Sequence, residues 1–124
     1  MERSRQFVRI CADGPAGIGL PPIGHDESDT AVLGARHPTA YTAYTDPSGL
    51  FTAGVWACDA GTLEIRDLKI DEACYLIEGE VTITDQFGHA ERFRAGDAFV
   101  LFRGFVGTWH MPVAIKKYNA MFRR

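Results

Sequence analysis

Residues 72–81 read EACYLIEGEV and residues 96–109 read GDAFVLFRGFVGTW. Both stretches join a run of apolar, β-branched or aromatic residues to a glycine, which is typical of a short strand that ends in a tight turn. Gly79 would allow a turn between two strands that pair antiparallel. Gly96 would precede a central strand, because residues 98–102 are apolar on both faces. These two stretches predict a sheet of short strands.

The same pattern extends over the chain from residue 41 onward. Gly, Asp and Pro turn signals recur at short intervals, and no amphipathic segment is long enough for a helix of three turns. So many short strands in about 80 residues indicate an all-β sandwich or a small barrel. The predicted strands cover residues 51–57, 62–68, 74–77, 80–84, 91–93, 98–102, 108–111 and 115–122.

The first forty residues have a different composition. They contain four of the six prolines, which interrupt helices and central strands. Short apolar pieces remain at residues 7–10, 18–20 and 31–33. We therefore predict an irregular N-terminal arm (residues 1–40) that packs on a barrel of residues 41–124 or on a neighbouring subunit. Because the apolar pieces need a partner surface, we expect a homodimer.

The composition excludes several classes of protein. The 124 residues (13.7 kDa) are 46% apolar and 23% charged, as in a single globular domain. The formal net charge of −3 leaves no basic excess to hold nucleic acid, and no apolar run approaches the roughly 20 residues of a membrane helix. No signal-peptide pattern follows the charged N-terminus, so we expect a cytoplasmic location. The three cysteines form no Cys-x-x-Cys pair, which argues against a disulfide scaffold or a zinc site.

The two quoted stretches resemble the two motifs of the cupin family. The first ends in the Glu-x-x-Tyr-hydrophobic-hydrophobic-Glu-Gly-Glu pattern, and the second follows Gly-Asp with an apolar strand, a turn and a returning strand. The Gly-Thr-Trp ending, with Lys116, Lys117 and Tyr118, is similar to one branch, the cupin domains related to (S)-ureidoglycine aminohydrolase. The resemblance covers residues 41–122 and implies an RmlC-like jelly roll, a double-stranded β-helix barrel with room for one small ligand.

The resemblance also implies where a metal would bind. Cupins usually hold one with histidines and a glutamate, and the aminohydrolase branch uses Glu, His, His and Gln. Carried over one by one, these four positions fall on Arg66, Leu68, Glu72 and Thr108. Only Glu72 is a competent ligand for a divalent ion, and one ligand does not hold such an ion against water. We therefore predict no metal and no other cofactor.

Arg66 suggests what replaces the metal. A guanidinium can hold a carboxylate through two parallel hydrogen bonds. We predict that Arg66 and Glu72 form an ion pair inside the barrel, with Glu64 and Asp67 available to extend it. The alternative is that Arg66 lies in solvent on the outer face of the sheet.

Three further residues complete the predicted ligand-binding set of Arg66, Glu72, Tyr75, Thr108 and Trp109. Trp109 would form an aromatic wall with its indole N–H directed at the ligand, or would belong to the core. Tyr75 adjoins the strand of Glu72, and its alternative is core packing with a bonded hydroxyl. Thr108 occupies the position of the branch's glutamine. The neighbouring His110 should point to the opposite side from Trp109, because side chains alternate along a strand.

Three functions remain open from the sequence. The first is a metal-free cupin that binds a small polar or anionic molecule. The second is an enzyme, either a hydrolase of a ureido or amide nitrogen compound or a metal-free isomerase, with Glu72 as the catalytic base. The third is a structural dimeric module with a vestigial pocket.

Overall fold

The computed structural model describes residues 5–23 and 32–124, and its ten strands form two antiparallel sheets of five strands each. The order in the first sheet is β2-β3-β10-β5-β8 and in the second β1-β4-β9-β6-β7. This architecture confirms the all-β jelly-roll prediction. The strands are β1 (Val32–Leu33), β2 (Thr39–Thr45), β3 (Phe51–Cys58), β4 (Gly61–Ile65), β5 (Asp71–Glu78), β6 (Glu80–Asp85), β7 (Ala90–Arg94), β8 (Ala98–Leu101), β9 (Gly107–Met111) and β10 (Ile115–Phe122).

The core lies between the two sheets and follows from the period-two pattern of the strands. In β5, Glu72, Cys74 and Leu76 are buried while Ala73 and Tyr75 are exposed. The other strands contribute inward side chains in the same way, and each fully buried aliphatic or aromatic side chain contributes about 1.5–3 kcal/mol. The cluster consists of Cys58, Leu63, Ile65, Leu68, Cys74, Leu76, Val81, Ile83, Leu101, Trp109, Met111 and Ile115.

The turn at Gly79 connects the two sheets, so the prediction that it joins paired strands is wrong. β5 pairs with β10 and β8, whereas β6 pairs with β7 and β9. Gly79 has a φ of +85°, and a Cβ there would lie 2.4 Å from the carbonyl oxygen of Ala114. Only glycine fits this crossing without strain.

The strand after Gly96 is also placed differently from the prediction. β8 is an edge strand of the first sheet and pairs with β5 alone. Its apolar character on both faces therefore does not reflect burial on both faces, since Val100 is 54% exposed.

The N-terminal segment is attached to the barrel at several points. Ala40 N donates to Pro21 O at 3.0 Å, and Lys116 Nζ lies 3.1 Å from a carboxylate oxygen of Asp13. Farther along, β1 pairs with β4. β2 begins at Thr39, two residues before the predicted start of the barrel at residue 41, which is within the usual uncertainty of strand ends. The predicted apolar pieces at residues 7–10 and 18–20 lie within the described residues, but Ala31 of the third piece lies outside them.

The only helix in the described residues is a single 3₁₀ turn, Pro15–Gly17, and none there could span a membrane.

Candidate functional site

A cavity of about 270 Å³ opens between the two sheets on the side of β2, β3 and β10. Most of its wall is apolar and comes from inward side chains of both sheets, among them Leu63, Ile65, Leu68, Trp56 and Trp109. The buried polar residues of its lining are Thr52 on β3, Glu72 on β5 and Lys117 on β10, and the half-buried Asn119 of β10 also lines it. For comparison, an apolar protein cavity of about 150 Å³ holds one benzene molecule.

Glu72 and Lys117 form a buried ion pair at this cavity. Lys117 Nζ donates to Glu72 Oε2 at 2.8 Å, and the two side chains are 7% and 9% exposed. Asn119 Nδ2 donates to the same oxygen at 3.1 Å. The antiparallel pairing of β5 with β10 places all three side chains on the inner face. A buried charge is tolerated only when it is paired and hydrogen-bonded, and this arrangement meets both conditions.

The surroundings stabilise the charged forms of both partners. Burial alone would raise the pKa of Glu72, but the charge and hydrogen bond of Lys117 and the amide of Asn119 hold that pKa below its ordinary value. Burial alone would lower the pKa of Lys117, but Cys74 and Glu72 raise it above its ordinary value. Near neutral pH the site therefore contains a carboxylate and an ammonium.

The nearby thiol is not a reactive group. Cys74 Sγ lies 3.6 Å from Lys117 Nζ, and burial raises the pKa of Cys74 to about 12. The thiol therefore stays protonated and packs as a small apolar group, and Cys58 is buried as well.

Two tryptophans enclose the ammonium group. Lys117 Nζ lies 4.5 Å from the ring centroid of Trp109 and 5.0 Å from that of Trp56. The two indoles meet edge to face, with centroids 6.5 Å apart. A cation within about 6 Å of an aromatic face is attracted to it, so the rings add to the stabilisation of the buried charge.

Trp109 also carries an unsatisfied donor. The side chain is 1% exposed, and its Nε1–H has no hydrogen-bond acceptor in the described part of the chain. A buried donor without a partner costs about 1–3 kcal/mol.

Arg123 provides a second cation where the cavity opens. It lines the cavity, and its Nη1 donates to Thr52 Oγ1 at 2.8 Å. Among residues 5–23 and 32–124 no carboxylate lies within ion-pair distance of its guanidinium. This charge is therefore available to a ligand.

The predicted ion pair between Arg66 and Glu72 is wrong. Ile65 faces the core, so the alternation of β4 directs Glu64 and the following Arg66 outward. Arg66 Nε lies 3.2 Å from Glu64 Oε1, and both side chains are more than half exposed. Glu72 has Lys117 as its partner instead. The alternative reading of Arg66, in solvent on the outer face, is the one that the structure shows.

The remaining predicted site residues divide between the two sides of the sheets. Glu72 and Trp109 lie at the cavity, as expected. Tyr75 is on the outer face of the first sheet, where it stacks on Tyr118, and Thr108 is exposed on the outer face of the second. The structure therefore does not bring these two to the cavity. His110 is exposed opposite to Trp109, which confirms the prediction from alternation.

Sequence reasoning missed Lys117, Asn119 and Arg123. The signal available was the alternation of β10, in which Ile115 and Lys117 share a face. A lysine in phase with core residues is unusual, and such a lysine needs a buried acid. The register of β10 against β5 was needed to identify that acid as Glu72.

The residues of the barrel interior do not fit a divalent metal. Of the four positions implied by the resemblance, Glu72 alone places a carboxylate inside, and its Oε2 already accepts from Lys117 and Asn119. Within the described residues there is no group of three His, Cys, Asp or Glu side chains able to hold an ion. The ammonium of Lys117 supplies the positive charge beside Glu72.

Comparison with known proteins identifies the family. No curated protein sequence matches the chain significantly. Among solved structures, the chain is similar to a putative ethanolamine utilization protein Q (EutQ) from Salmonella typhimurium (19% identity, TM-score 0.61, 71% of each chain covered). It is also similar to EutQ from Clostridium difficile (18%, 0.62, 82% of this chain and 74% of that one) and to ectoine synthase from P. lautus (18%, 0.61, 82% and 77%).

At these identities the similarity concerns the fold alone. The sequence itself gives the more specific result, since the profile of the EutQ-like cupin domain matches residues 45–118. This span is more than half of the chain and contains Glu72, Trp109 and Lys117. The chain therefore belongs to the family of EutQ-like cupin domains.

Proposed function

We propose that the barrel binds one small polar or anionic organic molecule in the cavity without a metal ion. The observation that carries this proposal is the buried, unpaired N–H of Trp109, a residue that lines the 270 Å³ cavity. Unsatisfied buried donors are rare in folded proteins, and a ligand acceptor would remove the cost. The pair of Glu72 and Lys117 leaves the deep part of the cavity without net charge.

The lining indicates what such a ligand would offer. It would present a hydrogen-bond acceptor to Trp109, a flat or apolar body to the indoles, and an anionic or polar end to Arg123. Pockets of this type combine an apolar wall with a few polar groups that fix the orientation of the ligand. A small organic carboxylate meets all three requirements.

The same geometry favours binding over acid–base catalysis by Glu72. A catalytic base works best with a pKa near the operating pH, whereas Lys117 and Asn119 keep the pKa of Glu72 below its ordinary value. Lys117, whose pKa is raised, is equally unsuited as a nucleophile at neutral pH. The hydrolase and isomerase alternatives therefore have less support than a binding role.

A ligand screen tests the proposal directly. Small carboxylates and their amide analogues would be screened by thermal shift and confirmed by calorimetry, with metal content measured on the same sample. We expect at least one of them to raise the melting temperature and to bind one molecule per chain. A screen without binders, or stoichiometric Mn, Fe, Ni or Zn in the purified protein, would contradict it.

Trp109→Phe tests the donor. The substitution keeps an aromatic ring but removes the N–H, so we expect the ligand to bind about 10-fold more weakly, the value of one hydrogen bond. The matched control is His110→Phe, which changes the exposed neighbour on the opposite side of β9. Unchanged affinity in Trp109→Phe would show that the ligand does not use this donor.

Arg123→Gln tests the anionic end of the ligand. Hydrogen bonds to a charged group are worth about 1.5–3 kcal/mol, so we expect at least a 10-fold loss of carboxylate affinity and a smaller loss for the amide analogue. Arg66→Gln is the control, because Arg66 is an exposed arginine outside the cavity. Equal losses in both variants would indicate a non-specific charge effect.

A further inference from the structure

A second cavity, of about 280 Å³, lies between the edge strands of the two sheets. β7 ends the second sheet and pairs with β6 alone, whereas β8 ends the first sheet and pairs with β5 alone. The barrel is therefore open along this side, at the far end of both sheets from β1 and β2. Of the residues that the structure describes, only Leu101 lines both cavities, so the two are separate sites.

Aromatic rings form much of the wall of this second cavity. Phe93 of β7 and Phe99 of β8 each pair with a buried core residue of the adjacent strand, so both rings point inward. They stack with ring centroids 4.3 Å apart. Phe105 and Phe102 also line the cavity, and Phe102 is 73% exposed. Because an apolar cavity of about 150 Å³ holds benzene, this one has room for an aromatic ring with a short chain.

Two carboxylates lie on the same side of their strands as the core. Asp85 follows Val81 and Ile83 in the alternation of β6, and both of these apolar residues are buried. Glu91 of β7 pairs with Ile83 across the two strands. Asp85 and Glu91 therefore belong to the inward rows of the second sheet, and both line the cavity.

The two acids differ in their partners. Asp85 Oδ1 accepts from the backbone N–H groups of Phe87 and His89 at 2.9 and 3.0 Å, and its Oδ2 lies 2.9 Å from His89 Nδ1. The hydrogen bonds from His89 and Phe87 hold the pKa of Asp85 below its ordinary value, so it is a carboxylate near neutral pH. Glu91 has no cation within ion-pair distance among residues 5–23 and 32–124, so its charge is available to a ligand.

We propose that this second cavity binds a small organic cation with an aromatic body, of the arylalkylammonium class. The ring of the ligand packs against the phenylalanines, and its ammonium group lies between their faces and Glu91. A cation within about 6 Å of an aromatic face is attracted to it, and the carboxylates add an attraction of the same sign. The first cavity has the opposite charge preference, because Arg123 is the available ion there. The two cavities therefore select different ligands.

Glu91 has an alternative role that needs no ligand. An inward-pointing charge on an edge strand prevents that edge from pairing with another chain. This protective role predicts no affinity for organic cations, so a binding experiment separates the two explanations.

An amide NMR titration of the full chain with phenethylammonium tests the proposal. Phenylacetate and phenethyl alcohol carry the same ring with a negative charge and with no charge. We expect the ammonium compound to shift amide signals of β7 and β8 rather than of β3 and β10. We also expect it to bind at least 10-fold more tightly than phenylacetate, since a hydrogen bond to a charged group distinguishes the two.

Glu91→Gln tests the charge that the ligand uses. We expect this variant to bind phenethylammonium about 10-fold more weakly and phenethyl alcohol without change, because the alcohol has no charge to lose a partner. The matched control is Glu64→Gln, which removes an exposed acid from the outer face of the same sheet. Phe102→Ala removes an exposed ring and should weaken both compounds about 5-fold.

Four results would overturn the proposal. The first is no binding of phenethylammonium up to about 10 mM, which would leave Glu91 with its protective role. The second is equal affinity for the ammonium compound and phenylacetate. The third is a set of shifted signals confined to the first cavity, and the fourth is an equal effect of Glu91→Gln and Glu64→Gln.

Discussion

Lys117→Met is expected to lower the free energy of unfolding by about 3–5 kcal/mol at pH 7, since removal of one partner leaves a buried charge uncompensated. Lys117 is 6% exposed and Glu72 is 7% exposed, so bulk water has little access to the carboxylate that loses its ammonium partner. Methionine fills a similar volume between Trp56 and Trp109, so the loss would reflect charge rather than packing. Urea unfolding followed by tryptophan fluorescence measures the effect.

The neighbouring lysine provides the control. Lys116 lies on the opposite face of β10 and pairs with the largely exposed Asp13. Lys116→Met should therefore change the free energy of unfolding by no more than about 1 kcal/mol. Comparable losses at positions 116 and 117 would mean that the burial of the Glu72–Lys117 pair is not what stabilises the barrel.

The double variant Glu72→Gln with Lys117→Met separates two effects: the destabilisation caused by an unpaired buried charge, and the net contribution of the ion pair to stability. Replacement of a buried ion pair by neutral groups of similar size is often close to neutral or even stabilising. We expect the double variant to regain most of the stability lost in Lys117→Met, although Asn119 would then donate to an amide oxygen rather than a carboxylate. A double variant as unstable as the single one would contradict this explanation.

The fold was predictable because its signals are local. Alternating side chains and glycine turns define the strands, and β10 was predicted over the residues that it occupies. The pairing of the strands was not predictable in the same way. Gly79 looks like a hairpin glycine in the sequence, and only the neighbours of β5 and β6 show that the chain crosses between sheets there.

The site was predictable only in part, for the same reason. Glu72 and Trp109 belong to the two sequence motifs at residues 72–81 and 96–109, and both lie at the cavity. The cation beside Glu72 comes from a strand 45 residues later in the chain, and no local pattern connects the two. Arg66 was closer in sequence, but the end of β4 at Ile65 turns it outward. The idea that a side-chain cation lies beside Glu72 is correct, whereas the residue first assigned to it is wrong.

The pH dependence of stability provides a test that does not require a ligand. The pKa of Glu72 is lower in the folded than in the unfolded chain, so between these two values the unfolded state binds more protons. Stability that is present above the ordinary carboxyl pKa is therefore lost as the pH falls below about 4.5, by at most about 1.4 kcal/mol per pH unit for one group. Lys117 acts in the opposite direction, because its raised pKa makes its contribution disappear as the pH rises above about 10.4.

Other groups titrate in the acid range, so a comparison is needed to isolate Glu72. The pKa values of Asp46, Asp67 and Asp85 are lowered by local hydrogen bonds that remain in every variant. The free energy of unfolding is therefore measured against pH for the unmodified protein and for the double variant Glu72→Gln with Lys117→Met. The difference between the two curves is the contribution of the pair. We expect the difference in the free energy of unfolding to be constant from pH 6 to 9. Below pH 4.5 it should decrease with the slope that corresponds to the uptake of about one proton. A flat difference down to pH 3 would mean that Glu72 titrates alike in the folded and unfolded chains, and the buried carboxylate would then not be the charged group on which the site is built.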